Sequence, residues 1–241
     1  MISNDIVYPA LSDNEFNIQT HAAIIKRSVD YCQWLEEGFD STDKITRTRR
    51  YMKVWVKEII NSSEFMDLRY NNPSYKFSFS DSYIYADSFP ISNYIIDSNI
   101  FKKNKNNLTP FELDNNQSIT LKNFNSSFKY IGNGQFYYYY NKSSNNLILP
   151  HKNNDDCTPG DIRVTILQYS PHTASIAGLL NSTTHIINTT TINSIEIGAF
   201  EAGNTEFKNL LINRYKKLII IAMIVRFLMF IAVLVNILWR S

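Results

Sequence analysis

The chain has 241 residues, with 24 Lys and Arg against 22 Asp and Glu for a formal net charge of +2, and 44% of it is hydrophobic. That balance supports a folded domain with a real core and argues against a dedicated nucleic-acid binder, which carries a stronger positive excess.

Residues 1–20 read as an N-terminal extension. The opening Met1 to Phe16 has neither a basic n-region nor an apolar run, so no signal peptide or first membrane helix is expected. From residue 21 to 203 the patterning predicts one β-rich extramembrane domain. Ile24 to Leu35 and Arg49 to Ile60 alternate with a period of two, which suggests two strands with one packed face, joined through the polar segment Gly38 to Arg47 as a long hairpin.

Within the second strand, Arg47, Arg49, Arg50, Lys53 and Lys57 are interleaved with Tyr51 and Trp55. This stretch from Lys44 reads as the solvated face of a sheet, its long basic stems lying over aromatic neighbours. The other reading is a face for anionic lipid, favoured over nucleic acid by a nearby membrane.

Asn71-Asn72-Pro73 marks a turn. Ile100 to Ser127 is polar and predicts a solvated loop with one short element, followed by an aromatic strand in Gln135 to Asn141. Pro159-Gly160 then leads into a strand over Asp161 to Ser170 and a return strand over Thr173 to Leu180, with Pro171 in the turn between them.

Residues 204–217 predict a juxtamembrane helix capped by Asn204, with Glu206 at its positive dipole end. Leu218 to Trp239 follows, 22 residues with Arg226 as the single charge, and residues 240–241 form a tail. At helical rise this segment spans about 33 Å, enough for the hydrocarbon core of a bilayer. Arg214, Lys216 and Lys217 flank one end, and Trp239 and Arg240 the other, as interfacial anchors do. Arg226 reads either as an arginine snorkelling toward the Lys217 end or as a contact for a partner carboxylate or lipid headgroup. The fold class is therefore α+β: a predominantly β extramembrane domain followed by one C-terminal transmembrane helix.

Chemistry is sparse. His21, His151, His172 and His185 have no metal-ligand spacing, no nucleophile elbow, P-loop or dinucleotide fingerprint occurs, and Asp155-Asp156 sits in a polar turn. No catalytic, cofactor or metal site is assigned. Cys32 and Cys157 form one bridge if the domain is luminal, and are ordinary thiols in a reducing compartment. N-x-S/T sequons begin at Asn61, Asn107, Asn116, Asn125, Asn141, Asn181 and Asn188, and a chain this rich in Asn, Ser and Thr generates several by chance. The lone C-terminal span with its basic flank predicts a cytosol-facing domain.

The ordered set Arg27 to Trp34, Trp55 to Phe65, Asn72-Pro73 and Gly160 to Val164, ahead of a C-terminal membrane helix, resembles the LUMA family of nuclear-envelope and endoplasmic-reticulum membrane proteins, from about Asn14 to the end of the chain. The resemblance implies a large domain in the lumen or perinuclear space. It also implies a membrane organiser that self-associates and engages partners such as emerin, SUN-domain proteins and lamins, with no established enzymatic activity. Carried over, Arg27, Val29, Gln33, Trp34, Trp55, Glu58, Ile59, Asn61, Ser62, Phe65, Asn72, Pro73, Gly160, Asp161, Arg163 and Val164 are domain-defining positions. Among them, Trp34 and Trp55 suit a core shared across the hairpin.

Beside the family pattern, this chain looks like the large domain plus the second helix, and Leu218 to Trp239 lacks the glycines that family helix carries. Its Asn-, Ile- and Lys-rich composition resembles coding from an AT-rich genome, as in a protist or a large DNA virus. The expected function is a non-enzymatic membrane-anchored scaffold whose partners are the bilayer, itself and other membrane proteins. The alternative is an anionic-lipid-binding, membrane-remodelling module using residues 44–57 with Arg214, Lys216 and Lys217.

Overall fold

The computed structural model describes residues 2–3, 6–39, 48–105, 107–112, 128–140, 157–192, 195–203, 209, 220–221, 223–227 and 229. The chain divides into two compact units, one of residues 9–86 and 106–170 and the other of residues 1–8, 87–105 and 171–241. Residues 21–203, read from sequence as one domain, contribute to both units.

The first unit is organised by one long strand, Ile24–Phe39, in a seven-stranded sheet. On one side it pairs antiparallel with Ile162–Tyr169 over Ile24 to Tyr31. On the other it pairs with Ser82–Tyr85 over Ile24 to Arg27 and with Thr48–Val56 over Tyr31 to Phe39, which forms the expected hairpin. Gln135–Tyr138 and Lys129–Gly132 extend the sheet beyond Ile162–Tyr169, and Thr109–Pro110 pairs with that strand's end.

The period of two in the long strand is imperfect for a physical reason. Ile24 and Ile25 are both fully buried, as are Tyr31, Cys32 and Gln33, so both faces are covered rather than one. Phe16, Phe79, Phe128 and Phe136 form an edge-to-face cluster in this unit, with ring centroids 5.3–5.4 Å from Phe16.

Residues 10–20, read from sequence as extension, belong to this core. Ala10–Asp13 pairs with Ile18–His21 in a hairpin that buries Leu11, Phe16 and Ile18. Its turn is set by Asp13, whose Oδ1 accepts from the Phe16 N–H at 3.1 Å. The same carboxylate accepts from Arg27 at 2.6 Å, both side chains being buried, and Glu15 holds a second guanidinium nitrogen. Arg27 Nε donates to the Ser80 carbonyl at 3.0 Å, which completes the buried cation's partners.

In the second unit, Ala174–Ala177 pairs with Ile2–Ser3 and Ala199–Ala202. It is not a hairpin return of Ile162–Tyr169, as the turn at Pro171 suggested. A second sheet runs Leu179–Asn181, Ile186–Asn188, Tyr94–Asp97, Ser88–Ile91, and its Ile186–Asn188 and Tyr94–Asp97 strands are parallel. Thr190–Ile192 and Ile195–Ile197 form a separate pair. Asp97 caps the short helix Ser98–Phe101, and Ile100 and Phe101 are fully buried, although they open the stretch read as a solvated loop. Residues 113–127 of that stretch lie outside the described residues.

At the C-terminus, residues 220–221, 223–227 and 229 are helical, and Ile220, Ile221, Met223, Ile224, Val225, Phe227 and Met229 are 46–65% exposed. Among the described residues no helix is long and apolar enough to cross a membrane, so the span expected over 218–239 is not found there. The expected cap at Asn204 and Glu206 and the basic cluster Arg214, Lys216 and Lys217 lie outside the described residues.

Candidate functional site

The second half of the long strand runs out of a neighbouring strand on the Ile162–Tyr169 side. At Cys32 the pairing is still main chain: its N–H donates to the Asp161 carbonyl, and its carbonyl accepts from the Gly160 N–H, both at 3.0 Å. At Trp34 a side chain takes over. Asn72 Oδ1 accepts from the Trp34 N–H at 2.7 Å, and Asn72 Nδ2 donates to the Trp34 carbonyl at 3.1 Å. An asparagine amide carries one acceptor and one donor group, so it reproduces the hydrogen bonds of a strand residue.

Gln33, fully buried, uses its amide the same way on the other flank. It donates to the Glu58 carbonyl at 2.8 Å and accepts from the Ile60 N–H at 2.7 Å. Between these clamps the chain from 57 to 78 forms a strap with two 3-10 turns, Ser62–Glu64 and Leu68–Tyr70, capped by Asn61 and Asp67. Ser62 ties the strap to itself, donating to Asn71 and accepting from the Asn72 N–H at 2.9 Å. Tyr75 donates to the Cys32 carbonyl at 2.7 Å, and burial pushes its hydroxyl above the usual tyrosine range.

The strap's two limbs wall an open groove of about 490 Å³, lined by residues that include Ile59, Asn61, Ser63, Asn72, Pro73 and Tyr75. Its lining offers amides, hydroxyls and backbone groups beside apolar surface. Ile59, Met66 and Leu68 of the strap are 54%, 65% and 68% exposed. Chemically the groove suits hydrogen-bonded and apolar contact.

The strap's far end is fixed by aromatic stacking. Tyr51 and Tyr70 lie parallel with centroids 4.1 Å apart, and Trp34 meets Tyr70 edge-on at 4.9 Å. Tyr51 donates to Glu36 at 2.6 Å, and Glu36 also accepts from the Met66 N–H at 2.9 Å. Those two donors hold the Glu36 carboxyl below its usual range, while loss of solvent and then Glu36 raise the Tyr51 hydroxyl.

On the opposite flank, Cys32 and Cys157 are joined by a disulfide closing a separation of 125 residues. Gly160 has a φ of 105°, and a side chain there would overlap the Tyr140 ring. Asp161 is buried and accepts from the Tyr140 and Thr158 N–H groups at 2.8 and 2.9 Å. Arg163 pairs with Asp30 at 2.9 Å and lies 4.7 Å from the Trp55 ring.

The structure does not bring the basic stretch onto one face. Arg49 and Lys53 share a face with Tyr51 and Trp55, Arg50 lies on the other, and Lys57 is paired with Asp81 and Ser28. Lys53 sits over the Trp34 ring at 5.6 Å, and Arg49 Nε lies 3.3 Å from the Met66 sulfur. Arg47 lies outside the described residues, and Arg226 is exposed on helical backbone. Trp34 and Trp55 take separate aromatic partners, Tyr70 and Tyr137, instead of a core of their own.

Among the sequons, Asn61, Asn107 and Asn181 are exposed and Asn188 is half-buried, while Asn116, Asn125 and Asn141 lie outside the described residues. Among the described residues no group of three or more His, Cys, Asp or Glu is placed to hold a metal ion. Sequence reasoning missed Tyr75 and the Arg27 partners Asp13 and Glu15. The signal for Tyr75 was its place two residues beyond the Asn71-Asn72-Pro73 turn.

The family model described as Transmembrane protein 43 matches residues 31–240, most of the chain. The chain belongs to that family, the LUMA family. It is thus a member of a family of membrane proteins. No curated protein and no solved structure matches it. The positions carried over from the LUMA resemblance converge on the clamps just described: Gln33 with Glu58, Trp34 with Asn72, Ser62 with Asn72, and Gly160-Asp161 with Cys32.

Proposed function

We propose that this LUMA-family chain is a non-enzymatic, membrane-anchored scaffold that organises membrane through self-association or membrane-protein partners, with the strap groove as its contact surface. The observation that carries the reading is the groove itself. It is built by side-chain clamps at LUMA positions and lined in part by exposed Ile59, on a strap that also exposes Met66 and Leu68. The anchor is Leu218 to Trp239, and the exposed apolar helical positions between 220 and 229 support it. Anchoring confines the search to two dimensions, so modest groove contacts gain avidity.

The Cys32–Cys157 disulfide supports an oxidising compartment, favouring the luminal or perinuclear placement implied by the family over the cytosolic one read from the basic flank. The endoplasmic reticulum or nuclear envelope fits both, and the AT-rich composition supports a viral or protist source. The lipid-binding alternative is weaker, because Arg49 and Arg50 point to opposite faces and Lys57 is paired.

The test is crosslinking and copurification of the full chain from native membranes, beside Ile59→Arg and Ser74→Arg, two exposed residues of the groove lining. The expected result is a partner or higher oligomer that both variants lose. A wild-type chain that is monomeric and partnerless in native membrane sinks the reading.

A further inference from the structure

We infer that Asn61 and Asn181 are N-glycosylation sites, each carrying an oligosaccharide in the mature protein. The inference rests on the luminal placement proposed above and selects two of the four described sequons by geometry.

Both side chains are exposed, and among the described residues both bond through the amide oxygen. Asn61 Oδ1 accepts from the Ser63 N–H at 3.1 Å and from the Ser63 hydroxyl at 2.8 Å. Asn181 Oδ1 accepts from the Thr183 and Thr184 N–H groups at 3.0 and 3.2 Å. Each turn spans two or three residues, so it forms without the rest of the fold and is available to the chain during synthesis.

At Asn61 the bonded group is the hydroxyl of the sequon itself, drawn onto the amide whose nitrogen must react. Glycan transfer forms a bond from that Nδ2 to the anomeric carbon of an oligosaccharide carried on a lipid diphosphate. The amide releases one proton, and the lipid diphosphate leaves. No redox partner is needed; Asn181 is exposed, and because Asn61 lines the groove its glycan covers part of the proposed contact surface, so removing that glycan should strengthen partner capture there.

Two other described sequons lack this arrangement. Asn188 is half-buried in the strand Ile186–Asn188, paired with Leu179. Asn107 is exposed, but the hydroxyl of its partner Thr109 donates to the Gln168 carbonyl at 3.2 Å in the sheet.

The experiment expresses the full chain in eukaryotic cells and compares gel mobility before and after amidase removal of N-glycans. Asn61→Asp keeps the capping oxygen and Ser63→Ala keeps the asparagine, so loss of the same mobility step in both reports glycan and not misfolding. Asn181→Asp and Thr183→Ala form the second pair, and Asn188→Gln is the control. In parallel, maleimide labelling without reductant reads the compartment through Cys32 and Cys157.

The expected result is protected thiols and one lost step for each pair, with none for the control. Protected thiols with mobility unchanged by either pair overturn the inference and leave the luminal placement standing. Reactive thiols with no glycan overturn both.

Discussion

The two halves of the long strand Ile24–Phe39 differ in what holds them. From Ile24 to Arg27 the strand has main-chain neighbours on both sides, and it is pinned by a buried arginine between Asp13, Glu15 and the Ser80 carbonyl. From Cys32 onward only the Thr48–Val56 side is a strand along its length. The other side is a main-chain pair at Cys32, then the Asn72 amide, the Tyr75 hydroxyl and a disulfide. Ladder bonds spread stability over many residues, whereas clamps concentrate it in a few. The half held by clamps is also the half that carries the groove, because a strand in Asn72's place would fill it.

That contrast breaks most readily at Arg27. Arg27→Met leaves Asp13 buried without its cation, and the loss expected is about 3–5 kcal/mol. The measurement is the denaturation midpoint of the detergent-solubilised full chain, followed by tryptophan fluorescence. A shift under about 1 kcal/mol would mean that the carboxylates find other partners and that the ladder half needs no ionic pin.

The disulfide comes next. Cys32→Ala with Cys157→Ala is expected to cost about 2–4 kcal/mol, since the bridge closes a long loop whose unfolded freedom it removes. The loss should appear as strap loosening first, read as faster proteolysis within 57–78 while the core strands stay protected. Uniform loss across the sheet would erase the distinction between the halves.

Asn72→Leu sharpens the comparison further. It removes both bonds to Trp34 and leaves that strand residue's N–H and carbonyl unpaired, for an expected loss of about 1–3 kcal/mol. Asn72→Asp tests the amide's duality, because a carboxylate accepts from the Trp34 N–H and cannot donate to its carbonyl. It should fall between wild type and Asn72→Leu in the same denaturation assay.

The hairpin of Ile24–Phe39 with Thr48–Val56 was legible from sequence in outline, whereas the clamp residues stood in the LUMA pattern without the bonds they make. Alternation in Ile24 to Leu35 and Arg49 to Ile60 located the hairpin, because strand period is a local property. Arg27 falls on the Ile25, Val29 and Tyr31 side of the alternation, and its burial depends on Asp13 and Glu15 in a segment that reads as an extension. Asn71-Asn72-Pro73 announced a turn, but the bonding of Asn72 to Trp34 is a tertiary event that no local pattern encodes. The division into two units was hidden for the same reason. The turn at Pro171 invited a local return strand, while Ala174–Ala177 pairs instead with Ile2–Ser3 and Ala199–Ala202.

The finest probe of the clamp half is acid. Glu36 accepts from the Tyr51 hydroxyl and the Met66 N–H, and its carboxyl is held below the ordinary value of about 4.5. A carboxyl whose folded pKa is lowered stabilises the fold at every pH above its unfolded value, and that contribution disappears as pH falls through the folded one. The strap anchor should therefore be indifferent to pH from neutrality down to about 4.5 and weaken below it. Trp34 reports the change, since Tyr70 of the strap meets its ring. Its emission should hold steady to mild acid and then shift in the wild type, whereas Glu36→Gln should flatten that transition, because a neutral amide accepts from the same donors at every pH. Asp67, lowered by Arg69, lies in the same strap and adds a transition of the same sign. A Glu36→Gln titration that overlays the wild type would assign the acid response to Asp67 and remove Glu36 from the clamps.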